Sequence, residues 1–542
     1  MLEKFKERSE AHSLFVWSIF FIECFLIAYL LAILTTIIFP SLIIANESAR
    51  SVISASIQIQ ATILAIVISL TLLAIEMTAS KYSPRVIEIF KKDGLILVFL
   101  VSYIISIAIS LIILSLIENP NFPIEITLET LFLIFLEVIL ISMLVPYLLS
   151  TLDLLNTETI IKKLAKLIHI DKIDAKIDPF QSIFDVVYGA IKINDFTTMS
   201  TGLVVAEEKF KEIIGKDPNN WQNDYIAFRF FDDLKRCGFL LIDRKEEKYA
   251  FEIITRLNTI GEWAFKEQNS HILGKLCSSV EEIANRACEY KMSSVIDHAL
   301  NVLKETAEII IIIPGLSQDE QITKKWSSTL FSYIESISSI GKTSIRCNLK
   351  ASFRKNIEIL DNFGRNSIRQ DLIFKDDFLF KKITLLANES LKENKPEFLN
   401  PSIQTLKGLG IYSVYQNHGN EALFVLEELK NIGKFAAEQK NGPVVQSIVN
   451  SIQDIAITAI ERQMKDVERA AIRCSVKFQI FHKELLKNQK TSIETQSPDS
   501  ISISEKKFEY DIQAEYAFLM ERIQPPEDYG EWYDEDNIVI TL

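Results

Sequence analysis

The sequence predicts an all-α protein: a four-helix transmembrane domain followed by a cytosolic α-solenoid built with 23 residues per helix. Two observations predict it. Four long apolar stretches fill the first part of the 542-residue chain, and that composition hardly returns afterwards. Beyond them, one pattern of large and small residues recurs at a fixed step.

The apolar stretches run from Ser13 to Ala45, Ile53 to Thr78, Leu95 to Ile117 and Leu128 to Leu152. Each reaches the roughly 20 residues that a helix needs to cross hydrocarbon. The first is too long for a cleaved signal peptide, and no small-residue cleavage site follows a short apolar core, so it reads as a retained span. Lys and Arg near span ends are held on the cytoplasmic side. Lys4, Lys6 and Arg8 precede the first span; Lys81, Arg85, Lys91 and Lys92 separate the second from the third; Lys162, Lys163 and Lys166 follow the fourth. A multi-pass protein of the cell inner (plasma) membrane is therefore expected, in the lipid bilayer with both termini cytoplasmic.

A positive mean hydropathy coexists with 24% charged residues and a net charge of -13. That acidic balance argues against nucleic-acid binding. Cys24, Cys237, Cys277, Cys288, Cys347 and Cys474 include no C-x-x-C pair and no nearby His cluster, so reduced thiols are expected, with no metal site and no cofactor.

The repeat begins a block at each of Ile337, Leu360, Ile383, Leu406, Leu429 and Ile452. A second large apolar residue follows three positions on, then Gly or Ala, and three further on Ser or Ala. Leu257 and Val280 open two earlier blocks at the same step, and the phase breaks around Ile309 to Gln318. Those positions share one helical face, and its small residues let a neighbouring helix approach closely. Twenty-three residues accommodate a helix of about 15 to 18 plus a short turn. Consecutive helices should then be antiparallel, in hairpins near the HEAT and armadillo range.

The organisation read from this is a four-span domain at 1–152, a helical coupling region at 153–235, the solenoid at 236–489, and a linker with an acidic, aromatic tail at 490–542. The Ser-rich stretch after Lys490 is too polar to bury a core. The end, from Pro525 through Trp532 to Asp536, reads as solvated or as a docking peptide for a partner or for the solenoid itself.

The second span and its exit, Ile66 to Arg85, carry the sequence IVISLTLLAIEMTASKYSPR. This resembles the membrane segment of an uncharacterised prokaryotic family of predicted membrane proteins, domain of unknown function 2254. Asp178-Pro179-Phe180-Gln181 and Ile193-Asn194-Asp195-Phe196-Thr197 resemble a further element of that family, whose Pro between Asp and Phe is absent here between Asp195 and Phe196. The resemblance covers residues 10–205 at most. It implies a membrane topology and brings no activity with it.

Function is sought in polar residues where lipid would penalise them. Gln58, Thr62, Ala65, Ser69, Leu72, Glu76 and Ser80 fall at steps of three and four on one helical face. Two readings compete. Several copies could surround an aqueous cation pathway along Gln58, Thr62, Ser69 and Glu76; or the face is a packing seam with hydroxyls bonded across helices. Glu23, Glu129 and Glu137 are further intramembrane acids. Pro146 can kink the fourth span. Ser83-Pro84-Arg85 reads as the start of an amphipathic inner-surface helix, Ser83 capping it and Pro84 opening it.

No phosphate loop, H-E-x-x-H or G-x-S-x-G occurs, so no enzyme is expected. The expectation is a homo-oligomeric, channel-like protein regulated by its solenoid. The alternative is a membrane-tethered scaffold or stress sensor that binds a protein partner through the solenoid and conducts no ion.

Overall fold

The computed structural model describes residues 13–39, 44–81, 94–117, 127–153, 156–168, 178–216, 222–312, 320–370, 378–490, 513–515, 517–519 and 521–522. Among the described residues the elements are all helices, with no strand. The chain divides into two compact units, Met1–Phe230 and Phe231–Leu542.

The first unit opens with α1 (Ser13–Ile38), α2 (Asn46–Lys81), α3 (Gly94–Ile117) and α4 (Thr127–Asp153). Both α1 and α2 pack on α3 and α4. Paired residues fix the register. Phe99 stacks on Tyr147 with centroids 4.5 Å apart, the Tyr103 hydroxyl donates to the Leu140 carbonyl at 3.1 Å, and Ile113 clusters with Leu133 and Ile53. Numbers rising along α3 meet numbers falling along α4, so these helices are antiparallel. Contacts of Ile53 with Leu133, Ser56 with Glu137 and Thr71 with Tyr147 show that α2 runs parallel to α4.

Three helices are long and apolar enough to cross a bilayer, over Asn46–Ser80, Val98–Ile117 and Thr127–Leu149. The described apolar part of α1 is Ile22–Ile38, short of the roughly 20 residues a span requires. The helix stops at Ile38 where Ala45 was expected. Three of the four expected spans are therefore met by length and composition. α4 continues through Pro146 to Asp153.

The unit closes with α5 (Thr157–Leu167), α6 (Gln181–Lys192), α7 (Phe196–Lys216) and the first part of α8 (Gln222–Asp243). Here Phe180, Phe184, Phe210 and Phe230 form an aromatic cluster, with Phe210 and Phe230 stacked at 4.2 Å. The family-like polar elements are local architecture. Asp178 accepts from the Phe180 amide at 2.9 Å where the chain enters α6. Asp195 caps α7 through the Thr198 amide and hydroxyl, at 3.2 and 2.8 Å.

The second unit is a helical repeat: α9 (Glu247–Lys266), α10 (Ser270–Glu289), α11 (Ser293–Ile312), α12 (Glu320–Arg346), α13 (Lys350–Arg369), α14 (Phe378–Lys392), α15 (Pro396–Tyr415), α16 (Gly419–Glu438), α17 (Gly442–Glu461) and α18 (Lys465–Lys490). From α9 to α18 each helix packs against the next and the next but one, the contact pattern of stacked hairpins. The repeating helix is 20 residues, longer than the 15 to 18 expected, and only three residues join it to its neighbour.

Those three residues have one geometry. The middle one is left-handed: Gln268, Lys291, Asn348, Asn394, Asn417, Lys440 and Gln463 all have φ between 52° and 62°. The amide after it bonds back to the last small residue of the repeat pattern, as in Asn269 to Ala264 at 2.8 Å, His418 to Ser413 at 2.9 Å and Met464 to Ala459 at 2.9 Å. This is the Schellman closure of a helix C-terminus. The small residue thus has two roles, packing on one side and helix termination on the other.

The Gly positions confirm the close approach. A Cβ at Gly364 would lie 2.6 Å from Leu409 and 3.0 Å from Leu379; one at Gly410 would lie 2.7 Å from Ile455 and 3.0 Å from Val425. Each glycine thereby admits side chains from the next helix and the next but one.

Two more copies are present. Leu234, Cys237, Gly238 and Leu241 on α8, and Leu303, Thr306, Ala307 and Ile310 on α11, are all buried at the repeat positions. The phase break lies after α11. Helix starts at Ser293 and Lys350 are 57 residues apart, eleven more than two steps of 23, and α12 at 27 residues absorbs seven of them.

On this scaffold the His298 ring of α11 lies 3.5 Å from the Phe251 ring of α9, nearly parallel, and bonds Thr255 at 3.0 Å. Burial, and then the charge of Lys355, hold its imidazole below its ordinary value of 6.5. A depressed pKa means that the fold favours the neutral ring, so this contribution is complete above pH 6.5 and is lost on acidification below it. Melting temperature should fall between about pH 7.5 and 5.5, and fall less in His298→Gln. Equal falls would remove His298 from the account.

Candidate intramembrane site

Helix α2 carries polar residues on two opposite faces. The face read from the sequence, with Gln58, Thr62, Ala65, Ser69, Leu72, Glu76 and Ser80, is exposed throughout on the unit's own bundle. Its hydroxyls bond within the helix: Thr62 donates to the Gln58 carbonyl and Ser69 to that of Ala65, both at 2.8 Å. Among the described residues, no other helix of the bundle covers this stripe.

The opposite face holds Ala49, Ile53, Ser56, Gln60, Val67, Thr71, Ala74 and Thr78, all buried against α3 and α4. Ser56 donates to Glu137 Oε2. Thr71 gives its proton to the Val67 carbonyl at 2.7 Å, which leaves Tyr147 as donor in the hydrogen bond between the two hydroxyls. Thr78 donates to Ala74 at 2.7 Å.

The register places these groups within about one turn of one another. Ser56 is level with Glu137, and Gln60 is one turn further along the same face of α2. On α4, Leu140 lies one turn after Glu137 and accepts from Tyr103, while Ser106 lies one turn past Tyr103 on antiparallel α3, which returns it to the level of Glu137. Glu137 Oε1, both amide atoms of Gln60, and Ser106 Oγ are buried without a hydrogen-bond partner. Unpartnered buried polar atoms are rare enough to require an explanation.

The remaining acids stand apart. Glu129 is in the first turn of α4, where the helix N-terminus favours negative charge, and its Oε2 is buried and unpartnered. Glu23 is exposed on α1. Ser83, Pro84 and Arg85, and the tail from Pro525 to Asp536, lie outside the described residues.

Sequence reasoning missed Ser56, Gln60, Tyr103 and Ser106. Gln58 and Gln60 are two residues apart and so about 200° apart around the helix. Each belongs to a stripe with steps of three and four, and only the neighbouring helices decide which stripe is inside.

A second polar site lies in the repeat unit. The described residues at the C-terminal end, 513–515, 517–519 and 521–522, include Glu515, which is buried and accepts from Gln453 of α17 at 2.5 Å and from Ser475 and Gln479 of α18, each at 2.8 Å. Leu519, one turn on, is also buried.

Comparison with known proteins bears on the first unit. Residues 13–177 match the family described as "Predicted membrane protein (DUF2254)". The resemblance read from the second span therefore holds over a segment of the chain, and Asp178 to Gln181 and Ile193 to Thr197 lie beyond it. No curated protein matches. Among solved structures, a circular tandem repeat protein is 15% identical with a TM-score of 0.30, covering 82% of this chain and 99% of its own. A de novo designed helical repeat protein is 11% identical with a TM-score of 0.21, covering 49% of this chain and all of its own.

Proposed function

We propose, from a membrane segment that matches a family of predicted membrane proteins, that this is a four-span inner-membrane protein whose copies associate around a cation pathway. Both termini are cytoplasmic, the helical repeat regulates the membrane part, and no step is enzymatic. One observation carries the reading: Gln58, Thr62, Ser69 and Glu76 form a polar stripe along a candidate span that the chain's own bundle leaves uncovered. A carboxylate at membrane depth is costly unless it meets water or protein. A ring of α2 helices supplies both, with acids at its mouth that favour cations.

The test is the stoichiometry of the full-length protein in lipid nanodiscs, followed by ion flux in vesicles. The reading expects four or more subunits with α2 innermost, and a cation flux that Glu76→Gln reduces while the assembly survives. A monomer, or a folded Glu76→Gln assembly with unchanged flux, removes the pathway.

A second reading, a membrane-tethered scaffold that conducts no ion, is favoured by the segment around Glu515. Its seating on α17 and α18 is a worked case of the repeat holding a short peptide through a glutamate and a leucine.

A further inference from the structure

We infer that Glu137, with Gln60, Ser56 and Ser106, forms a cation-binding site inside the membrane bundle of a single chain, occupied by Na⁺ or K⁺. The site lies on the inner face of α2, opposite the exposed stripe, and requires no oligomer, so it stands or falls separately from the pathway.

Three observations support it. First, the polar atoms are buried and only partly used: Ser56 satisfies one oxygen of Glu137, while the other has no partner. Gln60 is 1% exposed and neither of its amide atoms is bonded. A structural glutamine in a core would ordinarily be hydrogen-bonded, because the alternative is full desolvation without return.

Second, the chain supplies no compensating positive charge along these helices. From Ser51 to Ser80 on α2, and throughout α3 and α4, the sequence has no Lys or Arg. Desolvating a carboxylate oxygen with no counter-charge is costly, and a bound cation offsets that cost.

Third, the donor chemistry selects the ion. Among the described residues no three His, Cys, Asp or Glu side chains converge. The set is one carboxylate and two hydroxyls at one level of the bundle with one carboxamide a turn away, all hard oxygen donors, with a single negative charge to neutralise. That matches a monovalent alkali cation rather than zinc or another soft metal.

The experiment is thermal unfolding of the purified full-length protein in nanodiscs, in NaCl, KCl or choline chloride at equal ionic strength. The expected result is a saturable rise in melting temperature with Na⁺ or K⁺ that choline does not give. Glu137→Gln should abolish the response. Gln60→Leu should shift the half-saturating concentration upward about tenfold, the loss of one donor to a charge. Should Glu137→Gln fail to fold, the wild-type protein still decides the matter: N,N′-dicyclohexylcarbodiimide labelling of Glu137, read by mass spectrometry, should be suppressed by the same cation. Absence of any wild-type response to both cations overturns the inference, as does an equal response in Glu137→Gln or labelling that neither cation suppresses.

Discussion

Replacing Lys245, Lys291, Lys440 and Gln463 together with glycine is expected to raise the thermal transition of the full-length protein by several degrees. All four sit in the left-handed region, with φ of 63°, 59°, 54° and 57°, and all are exposed. A side chain with a Cβ is strained there because the Cβ crowds the following carbonyl. Glycine carries no such strain, although it gives back part of the gain through a larger entropy in the unfolded chain. The net is about 0.5–1 kcal/mol per site, and the sites lie on separate turns, so the effects should add to about 2–4 kcal/mol. The sign depends on position. Lys434 is exposed in the middle of α16, and there the same exchange should cost about 1 kcal/mol. A quadruple variant no more stable than the parent would mean that the turns hold no strain.

These turns also explain how the repeat could be read while its helix length was underestimated. The Ala or Ser that closes each block is constrained twice, by the neighbouring helix and by the Schellman closure, and it lies a constant four residues before the left-handed position. The left-handed position itself holds Lys, Gln or Asn and never glycine among the described residues, so no familiar punctuation marks the helix end. Copies on α8 and α11 stayed hidden because Cys237, Thr306 and Ile310 occupy places that elsewhere hold a large or a small apolar residue. In the membrane segment hydropathy revealed the apolar helices, since lipid imposes a length on each one separately. It did not reveal the interior of the bundle. Ser56 meets Glu137 and Tyr103 meets Leu140 only through the packing of three helices.

Glu515→Ala is expected to free the C-terminal segment from α17 and α18. Sixty-two residues separate Glu515 from Gln453, so no local pattern announces the contact. Glu515 Oε1 accepts from Gln453 and Ser475, and Oε2 from Gln479, so one side chain satisfies three donors. Hydrogen bonds to a charged acceptor contribute about 1.5–3 kcal/mol each, and donors left buried without it cost a further part of that range. Among the described residues, Leu519 one turn on and the loose Arg522 to Asp454 pair at 3.8 Å add weaker holds on the segment. Amide hydrogen exchange over residues 513–522 should therefore rise about a hundredfold or more in Glu515→Ala, while exchange in α13 and α15 stays unchanged. Glu515→Gln should fall between. Its carboxamide keeps one acceptor for Gln453 and Ser475, and Gln479 can turn its own amide to offer an oxygen to the new NH₂. If 513–522 exchange as slowly in Glu515→Ala as in the wild type, the carboxylate is not the latch. If they open while the helices hold, α17 and α18 bear a peptide-binding surface, and a synthetic 511–522 peptide added to the Glu515→Ala protein should restore the lost protection of Ser475 and Gln479.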